Sequence, residues 1–547
     1  MEAVWVVSRP LVGDAGPERV LRRLAARASA AGLAPPAAVT GDWFGGQAVL
    51  APTVRVEPVS RDRAFTALDR QPAVVGGSDL PPGVVGGGWF GYLGYGLTDP
   101  GRWPAPDGGS ARRLPDAAWG WADHVLRRDR RGRWWFEALV PVGSPAPEDL
   151  VEELGALVAA AEDPPVRPWT AGPTRRRPAE RHEAAVAGCV ERIAAGEIFQ
   201  ANVCTRFEWE FDGDPLEVFA AGSARLGPAR AAYLAGGWGA VASLSPELFL
   251  ARRDRVVRSS PIKGTLPRRG PANAGNAALL RRSAKDVAEN VMIVDLVRND
   301  LGRVCEVGSV TVPELLEVRP HPGVWHLVST VEGRLPSAAP HADLLAATFP
   351  PGSVTGAPKL RALEVVAELE TTPREVYCGA VGVVSPLAGL ELNVAIRTLE
   401  HQGDRLWLGV GGGVTADSDP HAEWRECLTK AAPAGGAAVS GGLDRRPGRR
   451  RGRCQLRCRL TWPSARSPHL RSTSTHDAGP RGRAPAVVAL VRWPNAPRTP
   501  PRAPTPAPTA QKWGEPPFQI MTEPSDTSAT THPPSGDKKQ TKHPIGS

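Results

Sequence analysis

The chain has 547 residues, of which 41% are hydrophobic and 22% charged, and this is enough for a sizeable core and more than one domain. No apolar run approaches the roughly 18–20 residues of a membrane-spanning helix, and the N-terminus lacks a basic segment followed by an apolar one, so we expect neither a membrane nor a secreted protein. Seven cysteines, an odd number scattered over a long chain, favour a reducing cytoplasm.

The elements predicted first, over residues 1–140, form an N-terminal region of mixed helices and strands. Apolar residues at helical spacing predict a helix over 17–32, and 117–140 is predicted to hold two strands that flank a charged turn. A proline-rich linker is predicted over 141–179. Helical and strand patterns then alternate from 180 to 433, which predicts a second and larger domain.

The formal net charge of +9 comes from the last part of the sequence. Residues 434–547 contain 19 Lys and Arg against 6 Asp and Glu, which leaves residues 1–433 mildly acidic. This segment is rich in Pro, Arg, Ser and Thr without a sustained apolar period, so we predict a disordered tail. A basic arm that binds nucleic acid is the alternative, but aromatic residues do not interleave with the basic ones, so no nucleic-acid partner is expected.

Two predicted helices carry acidic side chains that need a partner. In the helix predicted over 283–302, Glu289 shares its face with apolar side chains, and a buried carboxylate must be paired, protonated or bound to a cation. Arg298 or Arg303 would be the structural partner, and the spacing does not decide between an arginine and a metal ion.

The second acidic helix is predicted over 419–431, with Asp419 as its cap. Glu423, Glu426 and Lys430 follow one another at spacings of three and four residues. An exposed Glu-to-Lys pair is one interpretation. The other is a carboxylate pair that completes a Mg²⁺ site, with Lys430 facing an anionic substrate, and nothing local decides between them.

Glycine-rich turns at 350–359 and 408–418 lack the spacing of a phosphate loop or a dinucleotide fingerprint, so nucleotide binding is not expected. Glycines at strand ends do let backbone N–H groups approach a carboxylate closely. Lys263, in SSPIKGTLPR, would be a nucleophile if its pKa were lowered, whereas a lone lysine in a turn is more often solvated.

Several motifs follow one another in a fixed order: GEIFQANVCTRF, SLSPELF, SSPIKGTLPR, AKDVAENVMIVDLVRNDLGRV, HLVSTVEG, FPPGSVTGAPK, YCGAVG, AIRTL and GGGVTADSDPHAEWRECLTK. This set resembles the chorismate-utilising enzyme family, which includes anthranilate, aminodeoxychorismate, isochorismate and salicylate synthases. The similarity is dense over 180–432, weaker over 83–140 and absent from 434 onward. It implies an α+β fold, a layered β-sandwich with strands from both halves and outer helices, and a chorismate-binding catalytic domain over 180–433 that holds the active site.

Two positions separate the branches of that family. Water-using members have a lysine general base where this chain has Gln200, so an amine-using member is favoured. Anthranilate synthases resemble P-I-A-G-T where this chain has P-I-K-G-T, and a lysine at 263 marks the branch that converts chorismate and ammonia to 4-amino-4-deoxychorismate, a precursor of para-aminobenzoate and folate. An anthranilate-type synthase that tolerates Lys263 is the alternative.

The resemblance also implies roles for individual residues. Lys263 would attack C2 of chorismate, Glu247 would protonate the departing C4 hydroxyl, and His326 would lie beside the reacting ring. Mg²⁺ would be bound by Glu289 and Glu426 with Glu423 nearby. Eight positions, named here the carboxylate-binding set, would hold the two substrate carboxylates: Thr355, Gly356, Tyr377, Arg397, Gly411, Gly412, Gly413 and Lys430.

No glutaminase signature accompanies these motifs. A class I amidotransferase needs a G-x-C-x-G turn with a later histidine, and neither Cys189 nor Cys378 lies in such a turn. We therefore expect ammonia to come from a separate glutamine amidotransferase subunit or from solution.

Overall fold

The computed structural model of the chain describes residues 2–76, 80–98, 114–268 and 270–440. Its helices are α1 (Pro17–Ala30), α2 (Glu148–Ala159), α3 (Ala179–Ala194), α4 (Pro215–Leu226), α5 (Asn276–Arg282), α6 (Ala284–Gly302), α7 (His341–Thr348), α8 (Lys359–Leu369) and α9 (Pro420–Ser440). Short 3₁₀ turns occur at Arg61–Arg63, Thr66–Asp69, Tyr95–Thr98, Pro271–Asn273 and Gly352–Val354. No helix in this described part is long and apolar enough to cross a membrane.

The strands follow the same chain order. They are β1 (Val4–Leu11), β2 (Ala37–Trp43), β3 (Gly46–Ala51), β4 (Glu57–Pro58), β5 (Gly88–Leu93), β6 (Ala117–Ala122), β7 (His124–Arg128), β8 (Trp134–Pro141), β9 (Thr170–Ala171), β10 (Arg175–Arg176), β11 (Gln200–Asp212), β12 (Arg230–Gly236), β13 (Gly239–Ser245), β14 (Leu248–Arg253), β15 (Val256–Ser260), β16 (Ile262–Pro267), β17 (Thr311–His321), β18 (Val324–Arg334), β19 (Gly356–Ala357), β20 (Ala380–Ser385), β21 (Gly389–Val394), β22 (Thr398–Gln402) and β23 (Arg405–Val414).

The strands of the described residues form two large sheets. The first has the order β1-β8-β7-β3-β2-β12-β13-β22-β23-β11-β10, with β19 and β9 also on β11. The second has the order β16-β18-β15-β14-β21-β20-β5-β6-β4, with β17 on β18. Antiparallel pairing joins the two halves of the chain in both sheets, because β2 pairs with β12 and β5 pairs with β20.

The two sheets pack face to face and carry helices on their outer faces. One buried cluster takes side chains from both sheets, including Trp43, Phe90 and Tyr92, and it fills the space between them. A second cluster lies under α1, α2, α4 and α9, and a third lies under α6 and α7. Burial of these apolar faces is the main stabilising contribution, at about 25 cal/mol per Å². The predicted sandwich with outer helices is confirmed.

The segment predicted as a linker, 141–179, contains more structure than a connector. It forms α2, whose Leu154 and Val158 are buried one helical turn apart. The Arg23 guanidinium donates to the carbonyl of Val158 at 3.1 Å, and the Trp169 indole donates to the carbonyl of Ala438 at 2.7 Å. Apolar residues at i and i+4 give this stretch a face to bury despite its prolines, and that pattern outweighs the composition.

The predicted boundary at Pro433 falls inside a helix, because α9 continues to Ser440. The apolar face explains this extension, since Ala434, Ala437 and Ala438 are all buried. The remainder of the predicted tail, 441–547, lies outside the described residues.

Candidate active site

Lys263 lies in a bulge at the start of β16. Ile262 pairs with Val328 and Thr265 pairs with His326, so β16 holds one more residue than β18 over this stretch. A bulge changes the direction in which a side chain points. Gly264 has φ of +84°, and a Cβ at this position would meet the Asp286 side chain at 3.0 Å, so the bulge requires glycine beside the lysine.

The Lys263 ammonium lies at the meeting point of several predicted site residues. Its Nζ atom is 3.3 Å from the place that a Cβ on Gly413 would take, and the Gln200 amide lies against the same glycine. Burial lowers the pKa of Lys263 and nearby Lys430 lowers it further, against the raising effects of the Glu289, Glu247 and Glu426 carboxylates. A lowered pKa increases the fraction of neutral amine, which is the nucleophilic form.

Glu247 occupies the short connection between β13 and β14 and is 3% exposed. The backbone N–H of Ile262 donates to its Oε1 atom at 3.3 Å, and Ser353 donates a hydrogen bond to the carboxylate. Burial raises the pKa of Glu247 to about 7, although Ser353, Lys263 and Arg397 each act to lower it. A carboxyl group with a pKa near neutrality can hold a proton and deliver it, which suits a general acid.

His326 is buried on β18. Its Nδ1 atom lies 2.9 Å from the Thr265 hydroxyl, whereas its Nε2 atom has no hydrogen-bond partner in the described protein. Burial lowers the pKa of His326 to about 3, and Arg397 and His321 lower it in the same direction. The imidazole is therefore neutral, and its free nitrogen is available to a bound molecule.

The three predicted metal ligands approach one another from two helices. Glu289 lies on α6, and Glu423 and Glu426 lie on α9. A Cβ on Gly412 would stand 3.0 Å from Glu423 Oε2 and 3.7 Å from Glu426 Oε1. The Lys285 ammonium lies 3.9 Å from Glu289 and 3.7 Å from Glu423, so a cation already stands between the two helices.

These residues fit a magnesium ion in their chemistry. Within the described residues, no three His, Cys, Asp or Glu side chains are gathered closely enough to hold a metal ion by themselves. Mg²⁺ prefers carboxylate oxygens and usually takes only one or two of them, with water and substrate oxygens completing its octahedron. Glu289 and Glu426 would hold it, and Ser418, which donates to Glu423 Oε1 at 2.8 Å, orients the third carboxylate.

For the two acidic helices, the sequence left open whether the carboxylates are paired with basic side chains or bind a metal ion. The predicted Arg298 or Arg303 partner for Glu289 is wrong, because Arg298 pairs with Asp295 and Lys285 approaches Glu289 instead. The Glu426–Lys430 pair does form, with 2.7 Å between Oε1 and Nζ.

Lys430 also has a second partner in β23. Its ammonium donates to the carbonyl of Gly411 at 2.9 Å, and it stands 3.6 Å from where a Cβ on Gly412 would lie. Both side chains of the Glu426–Lys430 pair are about half exposed, so the pair is open to solvent and also contacts β23.

The carboxylate-binding set comes from the end of β23, from β19 with the loop before it, from the loops that hold Tyr377 and Arg397, and from α9, which carries Lys430. Arg397 has φ of +50°, an unusual value for an arginine, and the Leu244 N–H donates to its carbonyl at 3.0 Å. Thr355 is fully buried and its carbonyl accepts the N–H of Asn202 at 2.8 Å. The hydroxyl of Tyr377 lies 3.8 Å from the Cys204 thiol, and its ring lies directly against Gly409.

Sequence reasoning missed two side chains of the site. Lys285 precedes Glu289 by one helical turn, and this i,i+4 spacing is a signal that was available in the sequence. Ser353 contacts Glu247 across more than 100 residues of chain, and no local pattern indicates such a pair.

Known proteins resemble this chain over much of its length. A family model described as chorismate binding enzyme matches residues 50–435. Aminodeoxychorismate synthase component 1 of Klebsiella aerogenes is 45% identical over 240 residues, which is 44% of this chain and 53% of that protein, so the match spans about half the length of such relatives. Anthranilate synthase component 1 of Streptomyces coelicolor is 35% identical over 407 residues, 69% of this chain and 77% of that protein. The crystal structure of anthranilate synthase component I from Streptococcus pneumoniae has a TM-score of 0.58 and 26% identity, and the alignment covers 73% of this chain and 89% of that one.

Proposed function

We propose that this chain, which belongs to the chorismate-binding enzyme family, converts chorismate and ammonia to 4-amino-4-deoxychorismate and water. The observation that carries the proposal is the position of Lys263 next to Ile262, whose backbone N–H donates to the buried Glu247, so that the lysine and the carboxyl act on each other's charge. The pKa of the lysine is lowered and that of the carboxyl is raised to about 7. A lowered pKa increases the fraction of the lysine that is a neutral nucleophile, and a pKa near 7 lets the carboxyl hold a proton and deliver it.

The first step joins Lys263 to the substrate. The neutral Nζ forms a bond to C2 of chorismate, the two conjugated ring double bonds shift around the ring, and the C4–O bond breaks. Glu247 transfers its proton to the departing hydroxyl, which leaves as water. Hydroxide is a poor leaving group, so protonation by a positioned acid is the main contribution of Glu247.

The second step reverses the first with a different nucleophile. Ammonia forms a bond to C4, both ring double bonds shift back, and the C2–N bond to Lys263 breaks. The proton lost by the added nitrogen returns to the site, where the Glu247 carboxylate stands to accept it. The overall exchange replaces a hydroxyl by an amino group and regenerates both side chains.

The remaining predicted residues would hold the substrate during both steps. The carboxylate-binding set supplies backbone N–H groups together with the cationic Arg397 and Lys430, which attract the two substrate carboxylates. When bound at Glu289 and Glu426, Mg²⁺ would neutralise a substrate carboxylate and help to fix the ring. The neutral His326 presents its unpartnered Nε2 atom to the ring.

Ammonia is proposed to come from a glutamine amidotransferase subunit. The relatives in Klebsiella and Streptomyces are named component 1, which implies a second component for those proteins. The product would serve para-aminobenzoate and folate synthesis or a specialised pathway, and a cytoplasmic location follows from the proposed pathway.

The test is an assay of purified protein with chorismate, Mg²⁺ and ammonium, to which a lyase that releases para-aminobenzoate is added. Formation of para-aminobenzoate that depends on that lyase supports the proposal. The similarity to anthranilate synthase over 69% of the chain makes anthranilate the second candidate product. Fluorescent anthranilate with release of pyruvate, in the absence of the lyase, would establish that activity and overturn ours.

A further inference from the structure

Arg374 has no part in the two steps proposed above, and all three nitrogen atoms of its guanidinium donate hydrogen bonds. It lies in the loop between α8 and β20, three residues before Tyr377, and 2% of its side chain is exposed. Its Nε and Nη2 atoms donate to the two carboxylate oxygens of Glu370 at 2.9 and 2.7 Å. A buried ion pair is costly unless its remaining donors find acceptors, so the other N–H groups matter.

Those other N–H groups bind the backbone of two distant segments. Nη1 donates to the carbonyl of Val354 at 2.9 Å, and Nη2 donates to the carbonyl of Asn202 at 2.5 Å. The face of the guanidinium lies over the Tyr95 ring, 4.3 Å from its centre, and this packing fixes the plane of the fork. A planar group with fixed donors holds its acceptors at set distances, which a lysine does not.

The segments joined in this way carry members of the carboxylate-binding set. Val354 directly precedes Thr355, and the carbonyl of Thr355 accepts the N–H of Asn202 at 2.8 Å. Asn202 is in turn the strand partner of Gly413 in the ladder between β11 and β23. The loop that contains Arg374 itself continues into Tyr377.

We infer that Arg374 is a positioning residue for the substrate carboxylates. It touches no reacting atom, and it acts by holding the Thr355 loop, the Gly413 strand and the Tyr377 loop at the spacing that the two carboxylates require. This inference rests on the proposed function, because the carboxylate-binding set is defined by chorismate as substrate.

The main test is the variant Arg374→Lys, which keeps the positive charge and removes the fork. We expect the KM for chorismate to rise about 10- to 100-fold, since small displacements of binding groups have effects of that order. The KM for ammonium should stay unchanged and kcat should fall less than kcat/KM, because ammonia does not use the carboxylate-binding set.

Arg127→Lys is the matched control. Arg127 on β7 is also buried and donates to a buried carboxylate, with 2.5 Å between Nε and Glu137 Oε1, and that carboxylate also accepts the backbone N–H of Val85. We expect a similar loss of thermal stability in both variants and an unchanged KM for chorismate in Arg127→Lys. An equal change of KM in the two variants, or no change in Arg374→Lys, overturns the inference.

Two further measurements keep the test decisive. If Arg374→Lys does not fold, Glu370→Gln replaces it, because the amide oxygen can accept one of the two Arg374 hydrogen bonds while the amide nitrogen cannot accept the other, which loosens the fork. For Glu370→Gln we expect a rise in the KM for chorismate of about threefold to tenfold. Failure of both variants to fold would make Arg374 purely structural.

Calorimetric binding of chorismate separates the two proposals. Wild-type protein that binds chorismate without converting it contradicts the proposed function, and the Kd of the variants for chorismate then decides on the role of Arg374.

Discussion

The reactivity of Lys263 depends on the charges that surround it. Two carboxylates on α6 and α9 raise its pKa, while burial and Lys430 lower it, and the net effect is a lowered pKa. Burial and Lys430 thus outweigh the effect of the nearby carboxylates on the pKa of the amine. Any change that removes Lys430 or opens the site to water should return Lys263 toward an ordinary solvated lysine.

Replacing Lys263, the proposed nucleophile, tests the covalent step. Lys263→Ala should lose most amination activity, while chorismate still binds, because the carboxylate-binding set remains. Intact-mass spectrometry of the wild-type protein incubated with chorismate and without ammonium should reveal an adduct that is absent from the variant. The absence of any adduct on the wild type under all conditions would remove the covalent step from the mechanism.

The buried acid should make stability depend on pH in a defined direction. The pKa of Glu247 rises from 4.5 to about 7 in the folded protein, so the neutral carboxyl stabilises the fold fully below pH 4.5, and this contribution is lost as the pH rises through 7. Glu247→Gln mimics the neutral form at every pH. Relative to the wild type, it should therefore gain about 3 kcal/mol in the free energy of unfolding between pH 4 and pH 8. Urea unfolding of both proteins without ligands measures this, and a difference that is independent of pH would contradict a raised pKa.

At the scale of elements, the site depends on how α6 and α9 are held. The Ser283 hydroxyl caps α6 by accepting the N–H of Asp286, and Asp419 caps α9 by accepting the N–H of Ala422 at 2.8 Å. The Asn290 amide donates to the carbonyl of Leu327 at 3.3 Å and joins α6 to β18, the strand that carries His326. The two acidic helices therefore begin at fixed points, and the Lys285 ammonium lies between Glu289 of α6 and Glu423 of α9.

Magnesium dependence should follow the carboxylates of these helices. Glu426→Gln keeps the shape of the side chain and removes one charge, so we expect a loss of activity on the order of a hundredfold, with part of it recovered at high Mg²⁺. Glu364→Gln on α8 is a suitable control, because Glu364 is also paired with a cation on its own helix, Arg361, at 2.6 Å. Full activity of Glu426→Gln at low Mg²⁺ would show that Glu426 only pairs with Lys430.

The sequence predicts those features of the fold whose cause lies within one turn of a helix. The cap at Asp419 and the helix that starts near residue 17 follow from spacing and side-chain chemistry within one turn, and both predictions are confirmed. The grouping of Lys263 with Glu247 and Glu289 could be expected only from resemblance, because these residues come from three separate elements. The contact of Ser353 with Glu247 and the role of Arg374 depend on long-range pairing, which no window of the sequence contains.

At the scale of the whole molecule, the two halves cannot be separated without breaking both sheets. A fragment of residues 180–440 would lack β2, which pairs with β12, and β5, which pairs with β20. It would therefore expose the side chains that pack against Phe90 and Tyr92 of β5 in the full chain. We expect this fragment to aggregate or remain unfolded, whereas residues 1–440 should fold and retain ammonia-dependent activity. Circular dichroism and the chorismate assay on both fragments test this, and a folded, active 180–440 fragment would contradict it.

The interleaving of the two halves also constrains how the chain can fold while it is being synthesised. On the ribosome, β5 emerges long before β20, the strand that pairs with it, and β2 emerges long before β12. Until those later strands leave the exit tunnel, the early ones present apolar faces and unpaired backbone groups that favour aggregation. Folding must therefore wait until most of the C-terminal half has been translated, and nascent chains in which β20 has not yet left the exit tunnel should need chaperones to remain soluble.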